Sequence, residues 1–490
     1  MAKVNEFETA NYNYQSGSKQ RFSDEANKHY TYTSAEELEG KPDDLSEIIQ
    51  NHMQYQRPRL KMLQDYYKGN NTTILRSNRR KEDHLADHRA PHNFAKYVSQ
   101  FIQGYMVGIP LKTTYPEETV NEQLRDINRE NDADEHNSDL VLDQSIYGRA
   151  YELLYRNRTD ETKFTLLDVL GTFVIYDDTV EMKPIAGVRY IGNRFQDDDI
   201  TVYLYTENKR TTYSMDNAYQ LAAVEEEPHF FQGVPIIEYE NNRFREGDYE
   251  DVLNLIDLYD ASQSDTANYM TDLNDAMLKI VGSLDLDVDE ARKMKDSNII
   301  MLQSEQSTEG RFSNVDAEYI YKQYDVQGME AYKDRIANDI HLFTATPNMS
   351  DSNFAGTQSG ESLKYKLFSL EQKRATKERL FKKSLRDRYR LINNIISVAS
   401  EGGFDVNDID ITFTENLPVD VAKEMEWFAK LGGRLSQKTM LAQLSFIENP
   451  DEEMEQIEQE REESDTFMDN YGFAETSEEA SEEIDDGEEE

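Results

Sequence analysis

VPIIEYENNRFREGDYEDVLNLIDLYDASQSD, residues 234–265, is the stretch on which the reading of this fold turns. Between Gly247 and Gly282 no glycine or proline breaks the chain, and apolar residues recur at Val252, Leu255, Ile256, Tyr259, Tyr269, Leu273 and Met277. That recurrence predicts a helix. Carried through the whole interval, it would be about 50 Å long at a rise of 1.5 Å per residue. Asp248, Glu250, Asp251, Asp257, Asp260 and Asp265 decorate it. The apolar stripe of its first half is narrow and interrupted by Ser262, Gln263 and Ser264, which suits packing between subunits better than burial in a core.

Downstream, residues 283–325 read as a small α/β insert. DVDEARKMKDSN predicts a short helix, NIIMLQ a strand, and EYIYKQY a second strand with Tyr319 and Tyr321 on one face. A further helix places Met329, Tyr332, Ile336, Ile340 and Phe343 on one side and stops before Pro347. TATPNMSDSNFAGTQSG follows, a polar loop whose length between strong helices marks it as functional or disordered. Glu361 to Ser400 predicts another long helix, ended by Gly402-Gly403. Its segment 361–390 holds 11 Lys/Arg against 4 acidic residues, a balance of +7. IDITF (409–413) predicts a strand, and 419–463 a helical region.

Upstream, residues 1–45 are polar and aperiodic, and a mobile arm is expected. Helices are predicted over 45–68, ending at Gly69. RSNRRKEDHLADHRAPHN (76–93) is a basic, histidine-containing connection, and Phe94, Val98, Phe101, Ile102 and Tyr105 then recur at helical spacing until Gly108 and Pro110. Residues 139–160 predict a helix leading into a strand. FVIYD (173–177), AGVRYI (186–191), ITVYLYT (200–206) and TTYSM (211–215) are β-branched and aromatic runs separated by Asp, Asn and Gly, a meander pattern. Within it Ile200, Val202 and Leu204 face one way, Thr201 and Tyr203 the other.

The chain has 490 residues, enough for two to four folded units, and 30 Tyr and 21 Phe supply packing surface although only 37% of residues are hydrophobic. Net charge is -44. Asp451 to Glu490 carries 20 acidic residues against one basic, Arg461, a balance of -19 that leaves -25 on the first 450. DNA-binding domains are ordinarily basic, because cations displace counterions condensed on phosphates, so composition alone argues against tight nucleic-acid binding. The absence of cysteine excludes disulfide frameworks and cysteine-ligated zinc. The N-terminus lacks an apolar signal core, and no run approaches the roughly 20 apolar residues that span a bilayer. A soluble protein made in the cytosol is expected.

Catalytic signatures fail on inspection. GRLSQKT (433–439) puts Gln437 where a phosphate loop needs its second glycine. DLDVDE (285–290) puts Glu290 where a calcium loop needs the glycine of its sharp turn. His84 and His88 have a metal-clamping spacing with His92 near, but neither a following Glu nor a cysteine supports them, and exposed histidines in a basic loop are the better reading. No catalytic residue, metal or cofactor is therefore expected. The cations of 361–390 either line a face toward DNA or pair with acidic helices of a neighbouring subunit, and the carboxylate surplus favours pairing.

Three segments carry a family resemblance. YYKGNNTTIL (66–75) with HNFAKYVSQFIQGYMVGIPLKTTY (92–115), the opening stretch 234–265, and LGGRLSQKTMLAQLSFIENPDEEMEQIEQE (431–460) resemble the portal proteins of tailed phages with long non-contractile tails, over roughly residues 46–463. The resemblance implies an α+β, helix-dominated subunit with wing, stem, clip and crown regions in a ring, a dodecamer, at one capsid vertex of the virion. It divides the chain into an N-terminal arm (1–45), wing (46–246), stem helix (247–272), clip (273–325), second stem helix (326–346), tunnel loop (347–360), long wing helix and strand (361–415), crown (416–465) and acidic tail (466–490). Asn348, Ser350, Asp351, Asn353, Thr357 and Gln358 would line the DNA channel. Lys293, Lys295, Asp296, Tyr319 and Tyr321 would dock the motor at the clip. Implied partners are further copies of the chain, double-stranded DNA, the terminase large subunit, scaffolding and major capsid proteins and a head-completion adaptor, with assembly in the host cytoplasm and no membrane. On that reading the acidity is useful, since a mostly acidic channel leaves a polyanion unbound, where Lys/Arg–phosphate contacts would act as brakes. The alternatives are another ring protein of the head–tail junction, or a nucleic-acid enzyme such as a terminase; the missing phosphate loop counts against the latter.

Overall fold

The computed structural model describes residues 21–76, 86–192, 200–272, 277–281, 316–320, 325–349, 367–398 and 403–414, with short further stretches at 287, 289, 292–293, 365, 416, 425–426, 428–430, 436–441, 444, 453–454 and 456–461. The fold is α+β with helices predominant. The chain divides into two units: 1–358 with 362–416, and 359–361 with 417–490. In the second unit, Gln437–Leu441 is helical, the Ser436 hydroxyl accepts the Thr439 amide at 3.3 Å, and Met440, Leu441 and Leu444 are buried.

The first unit opens with β1 (Tyr30–Tyr32), α1 (Ala35–Glu39) and α2 (Pro42–Asn51). One π-helical turn, His52–Gln56, leads into α3 (Arg57–Tyr67). Then come α4 (Phe94–Val107), β2 (Lys112–Thr114), α5 (Glu118–Glu130) and α6 (Ala133–Tyr147). The β-rich part comprises β3 (Arg149–Arg156), β4 (Thr162–Leu167), β5 (Thr172–Asp177), β6 (Pro184–Gly192), β7 (Ile200–Tyr205), β8 (Lys209–Met215), β9 (Leu221–Pro228) and β10 (Ile236–Glu240). It is followed by α7 (Leu253–Asp272), β11 (Met277–Val281), β12 (Asp316–Ile320), α8 (Val326–Thr344), α9 (Phe368–Val398) and β13 (Asp410–Thr412).

Strands β5 to β9 form the expected meander, and β1 adds in parallel at its edge with Tyr30 opposite Ile175. Residues 21–45, expected as a mobile arm, are therefore part of the fold: β1 joins the sheet, and Leu38 and Leu45 are fully buried under it. Apolar residues Phe173, Ile175, Val188, Val202, Leu204 and Met215 fill that core on the alternate positions a half-buried sheet requires. A second core gathers Met106, Val107, Leu124, Leu140 and Phe164 against Phe381, Leu385, Tyr389, Ile392 and Ile396 of α9.

The long helix expected from Gly247 is shorter than its pattern allowed. A 3-10 turn (Glu250–Val252) precedes α7, which ends at Asp272, and Met277–Val281 is a strand paired antiparallel with Asp316–Ile320. The run MLKIV is β-prone, and a partner strand outweighs a helical periodicity carried only by Leu273 and Met277. NIIMLQ lies outside the described residues.

Gly148 ends α6 in the left-handed region at φ 80°, and a Cβ there would stand 2.1 Å from the Arg245 carbonyl oxygen. Only glycine admits this approach. It brings 241–248 against α6, where the Asp248 amide donates to the Ser145 carbonyl at 2.8 Å.

Candidate functional site

Helix α9 spends much of its positive charge inside the chain. Lys373 and Lys377 reach Asp248 at 3.1 and 2.6 Å, and Asp248 is fully buried. Arg388, also fully buried, pairs with Glu152 at 2.7 Å, and Glu152 accepts further from the Tyr239 hydroxyl at 2.8 Å and contacts His136 at 2.7 Å. Arg374 is bridged to Glu371 and Glu378, Lys382 to Glu378, and Arg390 to Asp387. Burial pushes both deep carboxyls upward, yet their cations prevail: Asp248 is held well below the usual carboxylate range, and Glu152 is held at about 2 by Arg388 and His136. The expected pairing holds for these cations, with partners in their own chain, while Arg379, Lys383 and Arg386 are exposed. Six of these cations meet carboxylates of their own chain, because α9 lies on β10 and its basic residues interleave with its apolar ones.

A second buried network joins the N-terminal segment to the stretch before α7. Arg245 bridges Glu238 at 2.6 Å, Tyr176 donates to Glu238 at 2.9 Å, and Arg59 donates to Glu250 at 2.7 Å and to the Arg245 carbonyl at 3.1 Å. His29, Glu238 and Glu240 approach as a possible ligand set. Glu238 there faces the Arg245 guanidinium, a cation already in place.

Helix α7 carries a polar stripe at Asp257, Asp260, Ser264, Asn268 and Thr271, successive positions three or four apart and so on one face. This stripe holds the extended segment 86–92. The amides of His88, Ala90 and His92 donate to Asn268, Ser264 and Asp260 at 2.5, 3.0 and 2.8 Å, and His88 Nε2 meets the Thr271 hydroxyl at 2.9 Å. Two residues of extended chain advance about as far as four residues of helix, roughly 6–7 Å, so every second amide finds a side chain. Ser264 is thereby buried within its own chain rather than left for a neighbour. His92 has its pKa raised by the Asp260 carboxylate beneath it. The sequence displayed this spacing, but its acids read as solvated decoration because nothing local showed that residues 86–92 would lie on them.

Helix α8 packs along α7. Ile336 and Ile340 are buried, whereas Tyr332 and Phe343, expected on the same side, are exposed. At the α8 C-terminus His92, Phe94, Tyr97, His341, Asn348 and Met349 line a cavity of about 300 Å³. Its walls are largely aromatic: His341 lies edge-on to Phe94 and Tyr97, with centroids 6.0 and 5.4 Å apart, and Tyr97 donates to the Pro347 carbonyl at 2.7 Å. Burial lowers the pKa of His341, which favours its neutral form at this wall.

Of the residues expected to line a channel, Asn348 is half-buried at this cavity, while Ser350, Asp351, Asn353, Thr357 and Gln358 lie outside the described residues. Of those expected at the clip, Lys293 is exposed and Tyr319 stands opposite Leu278 in the β11–β12 pair; Lys295, Asp296 and Tyr321 lie outside the described residues. His84 does too, and His88 and His92 serve the α7 strap.

A two-layered core, a pair of long helices joined through a small two-stranded sheet, and a third long helix define a class of protein. Residues 46–466 match the family model "Phage portal protein, SPP1 Gp6-like", and the chain belongs to this family of phage portal proteins. It is 22% identical over 401 residues to the "Portal protein" of Bacillus phage SPP1, covering 77% of each chain. Among solved structures it is similar to a chain of "Neck of empty GTA particle computed with C6 symmetry" at 12% identity and a TM-score of 0.46, covering 79% of this chain and 93% of that one. A chain of "Virion of native gene transfer agent (GTA) particle" gives 12% identity and a TM-score of 0.44, with 79% and 92% covered. The family is a structural one. The protein is a virion component of the head–tail junction, a subunit of the homo-oligomeric portal ring used in DNA packaging.

Proposed function

We propose that the subunits close into a dodecamer in which α7 and α8 are the stem, residues 273–325 the clip, 347–360 the tunnel loop and 416–465 the crown. Residues 46–246 and 361–415 make the wing, and residues 466–490 an acidic tail. Double-stranded DNA passes along the axis during packaging and ejection. The clip receives the terminase large subunit and later a head-completion adaptor, while scaffolding and major capsid proteins meet the outside of a ring assembled in the host cytoplasm. The subunit has no catalytic chemistry of its own; the motor supplies the work.

One observation carries the electrostatic part of this reading: six of the nine cations of α9, the basic segment of an acidic chain, are paired with Asp248, Glu152, Glu371, Glu378 and Asp387 of the same subunit. That leaves the carboxylate surplus as the field a polyanion meets. A channel of that sign centres DNA without gripping it, since few phosphate counterions are released on contact. Asn348, Ser350, Asn353, Thr357 and Gln358 then touch the backbone weakly, Asp351 opposes a tight grip, and Lys293, Lys295, Asp296, Tyr319 and Tyr321 serve the clip.

Deleting residues 351–356 tests the assignment. Rings of normal mass with impaired packaging or DNA retention are expected; loss of oligomerisation would make the loop structural. In the same assay, intact rings should show weak DNA binding with a shallow dependence on salt. A steep slope of log affinity against log salt would contradict the non-gripping channel.

A further inference from the structure

The two flanks of α8 differ. Ile340 and Thr344 point into the subunit, and at about 100° per residue His341 and Phe343 fall roughly 80° to either side of that inward direction. His341 forms a wall of the cavity on its flank. On the other flank Phe343 is 63% exposed, and Tyr332, three helical turns earlier on nearly the same line, is 44% exposed. One helix thus carries an apolar-walled cavity on one side and two solvent-facing aromatic rings on the other. Leu342 beside Phe343 is 70% exposed as well, and adjoining exposed apolar side chains mark an interaction surface rather than ordinary surface scatter.

A closed ring needs this kind of asymmetry. In a cyclic homo-oligomer every subunit shows one face to the neighbour ahead and a different, complementary face to the neighbour behind. We infer that Phe343 of each subunit inserts into the cavity formed by His92, Phe94, Tyr97, His341 and Met349 of the next, so that the α8 helices interlock around the ring. The inference rests on the ring reading and names a contact within it. The cavity is open to solvent, and its volume of about 300 Å³ leaves room for a phenyl ring. Edge-to-face packing against Phe94 and Tyr97 gives that ring the geometry aromatic side chains favour. The occupant is a second copy because the complementary element sits on the same helix as the cavity and on its opposite flank, where the subunit's own Phe343 cannot reach round to fill it. Asn348 lines the same cavity, so closure of the ring and the position of the proposed tunnel loop would be coupled.

The chain contains no cysteine, which makes coupling chemistry clean. Subunits carrying both Phe343→Cys and Met349→Cys are assembled and treated with a short bismaleimide, then separated under denaturing conditions. The contact predicts a ladder of covalent multimers. Either single variant alone should give no coupling, and a mixture of the two single variants only dimers. Rings of normal mass whose subunits stay uncoupled, or couple only within one chain, would overturn the contact and leave the ring reading intact. A wild-type chain that forms no ring would overturn both. Should the cysteine pair itself prevent assembly, Phe343→Leu and Phe343→Asp decide. Both should melt like the wild type, with Leu assembling normally and Asp needing at least about tenfold more subunit for half-assembly. Equal assembly of the two would refute the insertion.

Discussion

Helices α8 and α9 are both long and amphipathic, yet one is finished within its own chain and the other is not. Helix α9 buries Phe381, Leu385 and Ile392 and meets its buried cations with carboxylates from β3, from the turn before α7 and from its own neighbouring turns. Helix α8 buries Ile336 and Ile340 on one side and leaves Tyr332, Leu342 and Phe343 in solvent. The difference separates what a subunit needs in order to fold from what it needs in order to assemble. Substitutions along α9 should act on the stability of the single subunit, and those along α8 on the ring.

The largest effect is expected at the deepest ion pair. Glu152→Ala leaves Arg388 fully buried without its carboxylate, and breaking such a pair costs about 3–5 kcal/mol. Thermal unfolding of the subunit should record this as a large drop in Tm, and a variant melting like the wild type would show that α9 is not anchored as described. Next in size is Gly148→Ala, which forces a side chain onto the Arg245 carbonyl at positive φ and should lose about 2 kcal/mol.

The same pair predicts an acid response. The folded-state pKa of Glu152 is lowered from 4.5 to about 2, so the unfolded chain takes up the proton first as pH falls. Its stabilisation, about 3 kcal/mol, is complete above pH 4.5 and disappears by about pH 2. Asp248, likewise depressed, contributes with the same sign. Tm measured across that window should fall more steeply for the wild type than for Glu152→Gln; parallel curves would contradict the assignment.

Smaller still is Ser264→Ala, which removes the acceptor for the Ala90 amide and should cost about 1 kcal/mol. Hydrogen exchange at residues 88–92 should quicken while α9 stays protected. Smallest on subunit stability is Phe343→Ala, expected within about 0.5 kcal/mol because the side chain is exposed in the single chain. A large stability loss there would erase the contrast between the two helices.

The sequence made most of this legible where one periodicity dominates. The alternation of Val202 and Leu204, the spacing from Phe94 to Tyr105 and the run from Leu253 to Asp272 each state their element plainly. It was less informative where partners lie far apart in the chain. Tyr30 joins the sheet only because Ile175 offers an edge, and Met277–Val281 is a strand only because Asp316–Ile320 pairs with it. The charge of 361–390 could be counted but not placed, since the Lys377 partner, Asp248, is 129 residues away. Phe343 was grouped on one side with Ile336 and Ile340, because a helical stripe does not distinguish a face buried by its own chain from one left open for another. The segments quoted for the portal resemblance were the specific signal, and 234–265 among them runs into α7.

The most direct test of the account is electron microscopy of the purified full-length protein together with its mass in solution. Closed rings around an axial hole, the proposed dodecamer, are the predicted result, since head-to-tail contacts whose rotation closes generate rings. A defined small oligomer without a channel would contradict it.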